Sequence, residues 1–297
     1  MTSPTTGSTN ELRVALARNL DLGEGPIWDA AKRRLVFVDG TRGDIHLLDP
    51  ATGAHDTISA GQTIGAALPR RSGGFVVTAR EGLLAVSEAG EVSLLVPVEQ
   101  DQPGNRMNDA KCDSAGRLWV GTFSEDFTPG AGSLYRIDPD LSVHHIWRDI
   151  RVSNGIAWNA DESRMYFIDT LARGIDVFDF DAESGTLANQ RRFANIPRED
   201  GLPDGIAVDA DGYVWVALFH GGEVRRYRPD GMLTERIVLP VARVSSCNFG
   251  GPELRDLYIT TADFRLHDDG QPHEKHAGYL FACQPGPCGL PSHPFGG

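Results

Sequence analysis

The chain has 297 residues, with 28 Lys or Arg against 41 Asp or Glu, so its formal net charge is −13. This charge argues against nucleic acid or an anionic membrane as partner, because their phosphates need a basic surface. Hydrophobic residues make up 40% and charged residues 23%, a balance typical of a globular protein with a sizeable core. Length alone allows two domains, although propellers of this length are often single domains.

Nothing in the sequence predicts a membrane span or secretion. No apolar run approaches the roughly 18 residues of a transmembrane helix, and the polar start MTSPTTGSTN lacks the features of a signal peptide. We therefore expect a cytoplasmic protein with flexible tails at 1–10 and 287–297. The cysteines form no CxxC pair and are expected to be free, with a Cys283–Cys288 disulfide as the local alternative.

A pattern of short apolar strands and Asp-, Asn- or Gly-rich turns recurs six times. The matching positions in the six copies are Gly25, Gly65, Asp109, Gly155, Gly205 and Phe249. Their spacing of about 40–50 residues is typical of a four-stranded propeller blade. Strands such as RLVFVD and YVWVAL are apolar on both faces, as a blade between two neighbours requires. The sequence therefore predicts an all-β fold, a six-bladed propeller with four-stranded antiparallel blades, as one domain at 11–286.

Two further features support the ring. Residues 11–20, ELRVALARNL, precede the first copy and are predicted to form the outer strand of the sixth blade, which would cover that blade's edge. Four tryptophans recur within strands and are predicted to pack between blades. They are Trp28, Trp119, Trp158 and Trp215.

Polar residues open most of the repeats, and the first strands of propeller blades line the central channel. The residues at these starts are Glu24, Thr63 with Ile64, Asn108, Asn154, Asp204 and Asn248. Any single N-G or D-G dipeptide is typical of an ordinary turn. Because these share one phase of the repeat, we expect them to meet at one mouth of the channel. Converging oxygen ligands suit a divalent cation, most naturally Ca²⁺, Mg²⁺ or Mn²⁺, and Fe²⁺ or Zn²⁺ also fit such a site.

Four segments, LGEGPIW, NRMNDAKCDSAGRLWVGT, VSNGIAW and LPDGIAVDADGYVWVA, resemble the regucalcin-type gluconolactonase family. That family includes gluconolactonases, luciferin-regenerating enzymes and bacterial sugar lactonases, and the resemblance spans nearly the whole chain. It implies a six-bladed propeller that holds one divalent metal ion in its channel. It also implies hydrolysis of sugar-acid lactones, such as gluconolactone, xylonolactone or arabinolactone, to aldonic acids.

The resemblance also implies roles for single residues. The metal ligands that it implies are Glu24, Asn154 and Asp204. A carboxylate beside a metal ion can accept a proton from water, so Asp204 is expected to act as both ligand and base. Asp109, which follows Asn108 in the sequence, is expected either to support the groups Arg106 and Asn108 or to cap a turn.

The substrate groups implied by the resemblance lie in two short motifs. Arg106 and Asn108, in N-R-M-N-D, correspond to residues that hold the sugar lactone, and each could instead serve the blade structure. In GTFSED, Glu125 and Asp126 occupy the places of two family acids, of which the second contacts substrate. Asp126 is one methylene shorter than the Glu usual in the family, which bears on the choice of lactone.

Other chemistries find less support in the sequence. There is no G-x-S-x-G motif, and HEKH at 273–276 is not H-E-x-x-H; with His267 it is expected in a solvated loop. D-A-D-G at 209–212 is expected to be a hairpin turn, and His220 either to cap a turn or to reach the mouth. The alternative functions are hydrolysis of another ester or phosphoester at the same metal, or a non-catalytic propeller that binds Ca²⁺ or a protein. A monomer or weak homo-oligomer is expected.

Overall fold

The structure is a computed structural model, and it describes residues 11–264 and 274–297. Within these ranges the chain forms six four-stranded antiparallel sheets, and the first strands of neighbouring sheets contact one another around a ring. The protein is therefore a six-bladed β-propeller, which confirms the predicted fold class.

The first three blades follow the chain in simple order. Blade one contains β2 (Gly23–Asp29), β3 (Arg34–Asp39), β4 (Asp44–Leu48) and β5 (His55–Ser59). Blade two contains β6 (Ile64–Pro69), β7 (Phe75–Ala79), β8 (Gly82–Val86) and β9 (Val92–Pro97). Blade three contains β10 (Asn105–Cys112), β11 (Leu118–Ser124), β12 (Gly132–Ile137) and β13 (Val143–Ile150).

The next two blades are built in the same way, and the sixth is closed by the N-terminal strand. Blade four contains β14 (Ser153–Trp158), β15 (Arg164–Asp169), β16 (Gly174–Asp181) and β17 (Thr186–Asn195). Blade five contains β18 (Leu202–Val208), β19 (Val214–Phe219), β20 (Glu223–Tyr227) and β21 (Leu233–Val238). Blade six contains β22 (Val244–Gly250), β23 (Asp256–Thr261), β24 (Leu280–Cys283) and β1 (Arg13–Leu16).

The predicted ring closure is confirmed. β1 is the outermost strand of blade six and pairs antiparallel with β24, with Arg13 opposite Ala282 and Val14 opposite Phe281. Helical structure in the described ranges is confined to the 3₁₀ turns Thr170–Ala172 and Arg198–Asp200. No helix within these ranges is long and apolar enough to cross a membrane.

The core is divided among the contacts between blades. Six clusters of buried apolar side chains occur, one at each interface between neighbouring blades. The middle strands are therefore buried on both faces, as in β7 and β11, whereas the outer strands β5, β9 and β17 are largely exposed. Burial on both faces explains why the middle strands are apolar throughout.

The tryptophans lie between blades, as predicted, and two are held by a repeated motif. In D-S-A-G-R-L-W the Trp119 indole donates to Asp113 (3.0 Å), and in D-A-D-G-Y-V-W the Trp215 indole donates to Asp209 (2.9 Å). Gly212 has φ 82° in the turn between, so D-A-D-G is the predicted hairpin. The buried carboxylate thus fixes both the turn and the core tryptophan.

The C-terminal residues differ from the expected flexible tail. Phe295 is fully buried among side chains of blades two and three, and its amide donates to the carbonyl of Pro69 (2.9 Å). Gly289 forms a bridge with Asp209, and Gly296 donates to Gly116. The segment 287–297 therefore lies against three blades, because one buried aromatic ring and several main-chain hydrogen bonds hold it there. Residues 1–10, the other expected tail, lie outside the described residues.

The cysteines agree with the prediction. All four are free, and Cys283 and Cys288 are not linked. Cys112, Cys247 and Cys283 are buried, and burial raises the pKa of each thiol, so they act as small apolar core residues.

Blade one contains a buried histidine that makes stability depend on pH. His46 stacks on Phe37 (ring centroids 5.0 Å apart), and its Nδ1 lies 2.9 Å from Nε2 of His55. Burial, then the charges of His55, Arg18 and Arg42, lower the pKa of His46 to about 3. Its Nε2 is buried without a hydrogen-bond partner among the described residues. The folded protein therefore resists protonating this ring.

Substituting His46 is expected to reduce the loss of folding stability at acid pH. Below about pH 6.5 this histidine binds a proton in the unfolded chain but stays neutral in the folded chain. Stability therefore falls as the pH drops from about 6.5 towards 3. In His46→Phe, which keeps the stacked ring, the melting temperature should fall less between pH 7 and pH 5. His144→Phe is the control, because the His144 side chain is 43% exposed and lies near Asp138 rather than in the core. An equal fall in His46→Phe and wild type would contradict this account.

Candidate active site

A β-bulge at the start of the first strand creates the polar mouth of the channel. The pairing of β18 with β19 gains one extra residue between Pro203 and Ile206, the interval that contains Asp204. The same irregularity occurs in β14 around Asn154 and in β10 around Asn108. A bulge re-aims the side chains it contains. Three blades thus present a polar residue at equivalent points.

Three of the expected starts do not share this phase. In blade two Thr63 precedes β6, and Ile64 pairs opposite Ala79, before the bulge. Glu24 pairs opposite Val38, one position before the corresponding bulge of blade one, although it still reaches the same charged cluster. Asn248 lies further along β22, opposite Tyr258, and lines a cavity with Lys111 and Trp158 near the carboxyl ends of the first strands. The expected ring of six equivalent residues is therefore wrong for blades one, two and six, and Asn248 is displaced because the irregularity in β22 falls earlier.

Glu24 and Asp204 form the acidic centre of the site. Burial raises the pKa of Glu24 well above its usual range, and the carboxylates of Asp204 and Asp109 raise it further. Burial and the charge of Asp109 likewise raise the pKa of Asp204. Asp204 is 6% exposed, and its Oδ1 is buried without a hydrogen-bond partner among the described residues. The two carboxylates therefore repel each other, and one oxygen of Asp204 has no donor among the described residues.

Asn154 supplies the neutral member of the set. It is 6% exposed, and its Nδ2 donates to the hydroxyl of Thr170 (3.2 Å). It also hydrogen-bonds to Asp204, which partly offsets the rise in that pKa. With the amide nitrogen held by these acceptors, the amide oxygen is the atom available to a cation.

This donor set fits a hard divalent cation. An unpaired buried carboxylate oxygen, a second carboxylate and an amide oxygen are the oxygen ligands that Ca²⁺, Mg²⁺ and Mn²⁺ take, and a cation would relieve the repulsion between Glu24 and Asp204. No group of three or more His, Cys, Asp or Glu arranged to hold a metal occurs in residues 11–264 and 274–297. A site here consequently depends on Asn154 as well as the carboxylates.

Two further charged residues lie beneath this set. Asp109 is 9% exposed and accepts from the amide of Ala110 (2.9 Å), and burial raises its pKa. Its charge contributes to the raised pKa values of both Glu24 and Asp204. Lys111 was not among the predicted site residues. The feature that could have indicated it is a lysine within a strand that lines the channel.

Arg106 lies at the mouth and is held from several sides. Its guanidinium stacks over the ring of Phe123 (4.4 Å) and its Nε lies 3.7 Å from Oε1 of Glu125. Its Nη1 donates to the carbonyl of Met107 (3.2 Å) and to Oδ1 of Asn108 (3.4 Å). Burial lowers the pKa of Arg106 to about 10, so it is a cation at neutral pH. The opposite charge of Glu24 counters this effect, which places the arginine near the acidic centre.

The other expected substrate residues differ in position. The Asn108 amide is engaged on both sides, since its Nδ2 donates to the carbonyl of Ser153 (2.9 Å) and its Oδ1 accepts from Arg106. Glu125 is exposed and contacts both Arg106 and Arg80. Asp126 is exposed too, and the acid that lies near Arg106 is Glu125.

The remaining motifs lie outside this constellation. His220 has φ 60° and its ring packs against Phe219 (4.8 Å), which favours the turn interpretation. In HEKH, Glu274 accepts from the amide of Ala242 (2.8 Å). His273 and His267 lie outside the described residues.

The chain is similar to known proteins over nearly its whole length. Residues 22–263, which include every candidate site residue, match the model of the "SMP-30/Gluconolactonase/LRE-like region" family. A regucalcin of Oryctolagus cuniculus is 33% identical over 298 residues, covering 98% of this chain and 100% of that protein.

Solved structures of similar proteins share the whole fold. The calcium-binding protein regucalcin from Agrobacterium tumefaciens superposes with a TM-score of 0.89 at 28% identity, covering 95% of this chain and 96% of that one. A luciferin-regenerating enzyme gives a TM-score of 0.88 at 30% identity, with coverage of 95% and 97%. The predicted resemblance is confirmed: the chain belongs to the SMP-30/gluconolactonase/LRE-like family.

Proposed function

We propose that this protein is a divalent-metal-dependent hydrolase that opens sugar-acid lactones to aldonic acids. The observation that carries the proposal is the buried, unpartnered Oδ1 of Asp204, which lies beside Asn154 and near Glu24. Arg106 supplies a fixed cation at the edge of the same site. Family membership supports a lactonase, and the similar regucalcin of Agrobacterium tumefaciens is a calcium-binding protein.

Glu24, Asn154 and Asp204 would hold the ion, with Glu24 as the more purely structural ligand. When bound, a divalent cation in such a site polarises the lactone carbonyl and lowers the pKa of water. The protein's part is to keep three oxygen ligands rigid. The bulges in β14 and β18 do this for Asn154 and Asp204, because each sits in a strand buried between two neighbours.

Asp204 is the proposed general base. Hydrolysis adds water across the ester bond, so one proton must leave the water as the new C–O bond forms. The Asp204 carboxylate has two oxygens, so it could bind the ion through one and accept this proton on the other. As the bond between carbonyl carbon and ring oxygen breaks, the proton passes to the ring oxygen and the open-chain acid results.

Arg106 and Asn108 are the proposed substrate clamp. Stacking on Phe123 and the contact with Glu125 fix the plane of the guanidinium, so its remaining donors can fork to hydroxyl or lactone oxygens. Asn108 fixes the direction of Arg106 through their hydrogen bond. Glu125 and Asp126, exposed at the rim, would contact the distal hydroxyls and select among lactones.

Removing the metal ion tests this function directly. Protein treated with a chelator should lose hydrolysis of gluconolactone, xylonolactone and arabinolactone in a pH-indicator assay, and added Ca²⁺, Mn²⁺, Mg²⁺, Zn²⁺ or Fe²⁺ should restore it. A phenyl ester and a phosphodiester complete the panel. Metal binding without turnover of any substrate would favour a non-catalytic calcium-binding propeller. Full lactonase activity in the chelated protein would contradict metal dependence.

A further inference from the structure

An exposed aromatic side chain lies at the mouth of the channel, next to the proposed substrate clamp. Of the 13 phenylalanines, all of which lie in the described ranges, only Phe127 is exposed, with an exposed fraction of 56%. Its ring stacks on Phe123, with centroids 5.8 Å apart and an interplanar angle of 27°. The same Phe123 ring carries the guanidinium of Arg106 at 4.4 Å. Phe127 therefore adds an accessible apolar surface to the clamp.

The loop that carries Phe127 is fixed to the segment that carries Arg106. This loop, residues 125–131, joins β11 to β12. Near its end the carbonyl of Ala131 accepts a hydrogen bond from the side chain of Asn105 (2.8 Å). Because Asn105 directly precedes Arg106 in β10, the fold sets the position of the loop relative to the guanidinium.

Neither the backbone nor the core accounts for a phenylalanine at this position. Phe127 has φ 54°, in the left-handed region that bulky residues rarely adopt and that Asn or Gly adopts more easily. Its amide donates to the carbonyl of Ser124 (2.7 Å), a bond that any residue except proline can make. Stacking on Phe123 still leaves more than half of Phe127 exposed. A contact with a ligand at the mouth would explain why an aromatic ring is held here.

The place of Phe127 in the chain indicates which part of a lactone it would contact. Arg106 pairs opposite Phe123 at the mouth end of blade three, and Phe127 follows four residues later, outside the strands. With the reacting carbonyl at Asp204, the ring of Phe127 would contact a substituent on the far side of the lactone. A phenyl ring offers no donor to a hydroxyl, and its favourable interaction is the burial of apolar surface.

We propose that Phe127 forms an apolar subsite at the rim of the active site, and that the protein therefore also hydrolyses lactones whose ring carries an alkyl substituent. The proposal rests on the proposed lactonase and extends its range of substrates. The reaction is unchanged, since water adds across the ester bond and the product is a hydroxy acid that keeps the alkyl group. Glu125 and Asp126 directly precede Phe127, so one loop would recognise both polar and apolar substituents.

The test compares δ-hexalactone with δ-nonalactone, which differ only in a methyl or butyl group on the ring carbon beside the ring oxygen. In the presence of Mn²⁺, wild type should hydrolyse δ-nonalactone with a kcat/KM higher on the order of tenfold, because three more methylenes are partly withdrawn from water. In Phe127→Asn, which suits the positive φ, this preference should disappear. Met232→Asn is the matched control and should keep it. Met232 is 55% exposed and lies in the turn between β20 and β21, at the end of blade five away from the mouth.

A purely structural role of Phe127 gives a different result. If its ring only held Phe123 and Arg106 in place, Phe127→Asn would lower kcat/KM for δ-hexalactone, δ-nonalactone and gluconolactone by the same factor. The ratio of the two alkyl lactones would then keep its wild-type value. That outcome would overturn the subsite, and so would equal kcat/KM values for the two alkyl lactones in wild type.

Binding of unreactive lactams separates this proposal from the proposed function. In 6-methylpiperidin-2-one and 6-butylpiperidin-2-one an N–H group replaces the ring oxygen, and the amide is not hydrolysed during the assay. Calorimetry with Mn²⁺ present should show tighter binding of the butyl lactam to wild type and equal binding of the two to Phe127→Asn. If wild type hydrolyses no lactone but shows this difference, the lactonase is refuted and the apolar subsite is supported. Equal Kd values in wild type, or binding of neither lactam, would overturn the subsite.

Discussion

Asp204→Asn is expected to lower kcat/KM for lactone hydrolysis by about 10²–10⁴-fold, the usual contribution of a positioned acid or base. The substitution keeps the shape of the side chain and removes its charge and basicity. It should also weaken metal binding, because one of two carboxylate ligands is lost. Steady-state kinetics and calorimetry on the same preparation measure the two effects.

The stability of this variant should move in the opposite direction. In the metal-free protein, burial and Asp109 disfavour the charged form of Asp204, so the neutral amide should raise the melting temperature. Asp211→Asn, in the hairpin of the same blade and 67% exposed at the side chain, is the control and should change neither activity nor stability. A fully active Asp204→Asn would exclude the residue as ligand or base, and a lower melting temperature would mean that the carboxylate is structural.

Arg106→Ala should lower kcat/KM by about 10–100-fold, which corresponds to about 1.5–3 kcal/mol for a charge-assisted hydrogen bond. Metal affinity should be nearly unchanged, because a protonated guanidinium cannot be a ligand. This combination separates the substrate clamp from the metal centre, and it is measured by kinetics together with metal titration.

Arg80→Ala is the matched control for this experiment. Arg80 contacts the same Glu125 but is more exposed than Arg106, with 48% against 15% of the side chain accessible. If both variants lost the same activity, the effect would act through Glu125 rather than through contact with substrate. Unchanged kcat/KM with a lower melting temperature would make Arg106 a rim salt bridge.

Most of the fold could be predicted from the repeat pattern of the sequence. Each blade buries the same strands against its neighbours, so the apolar runs recur with the blade period and can be counted. Closure of the ring could also be predicted, because residues 11–20 have a strand pattern but no place in the first blade. The pairing of β1 with β24 confirms it. The position of the segment 287–297 could not be predicted, because it is fixed by buried Phe295 and by main-chain hydrogen bonds, which leave no periodic pattern in the sequence.

The site could be predicted only as far as local motifs reach. Asp204 and Asn154 lie in the same bulge of equivalent strands, so a shared dipeptide pattern marks them. Asn248 has a similar sequence setting, yet a shift in β22 places it lower in the channel. The bond from Lys111 to Ile206 joins residues 95 positions apart, and such a contact is set by ring closure rather than by neighbouring sequence.

We propose that Glu24, Asn154 and Asp204 together hold one divalent cation. Anomalous diffraction from crystals grown with Mn²⁺ would locate that ion. One strong anomalous peak is expected in the channel, within coordination distance of a carboxylate oxygen of Glu24, the amide oxygen of Asn154 and a carboxylate oxygen of Asp204. An empty channel, or a peak bound by other residues, in crystals of protein that hydrolyses lactones would contradict it.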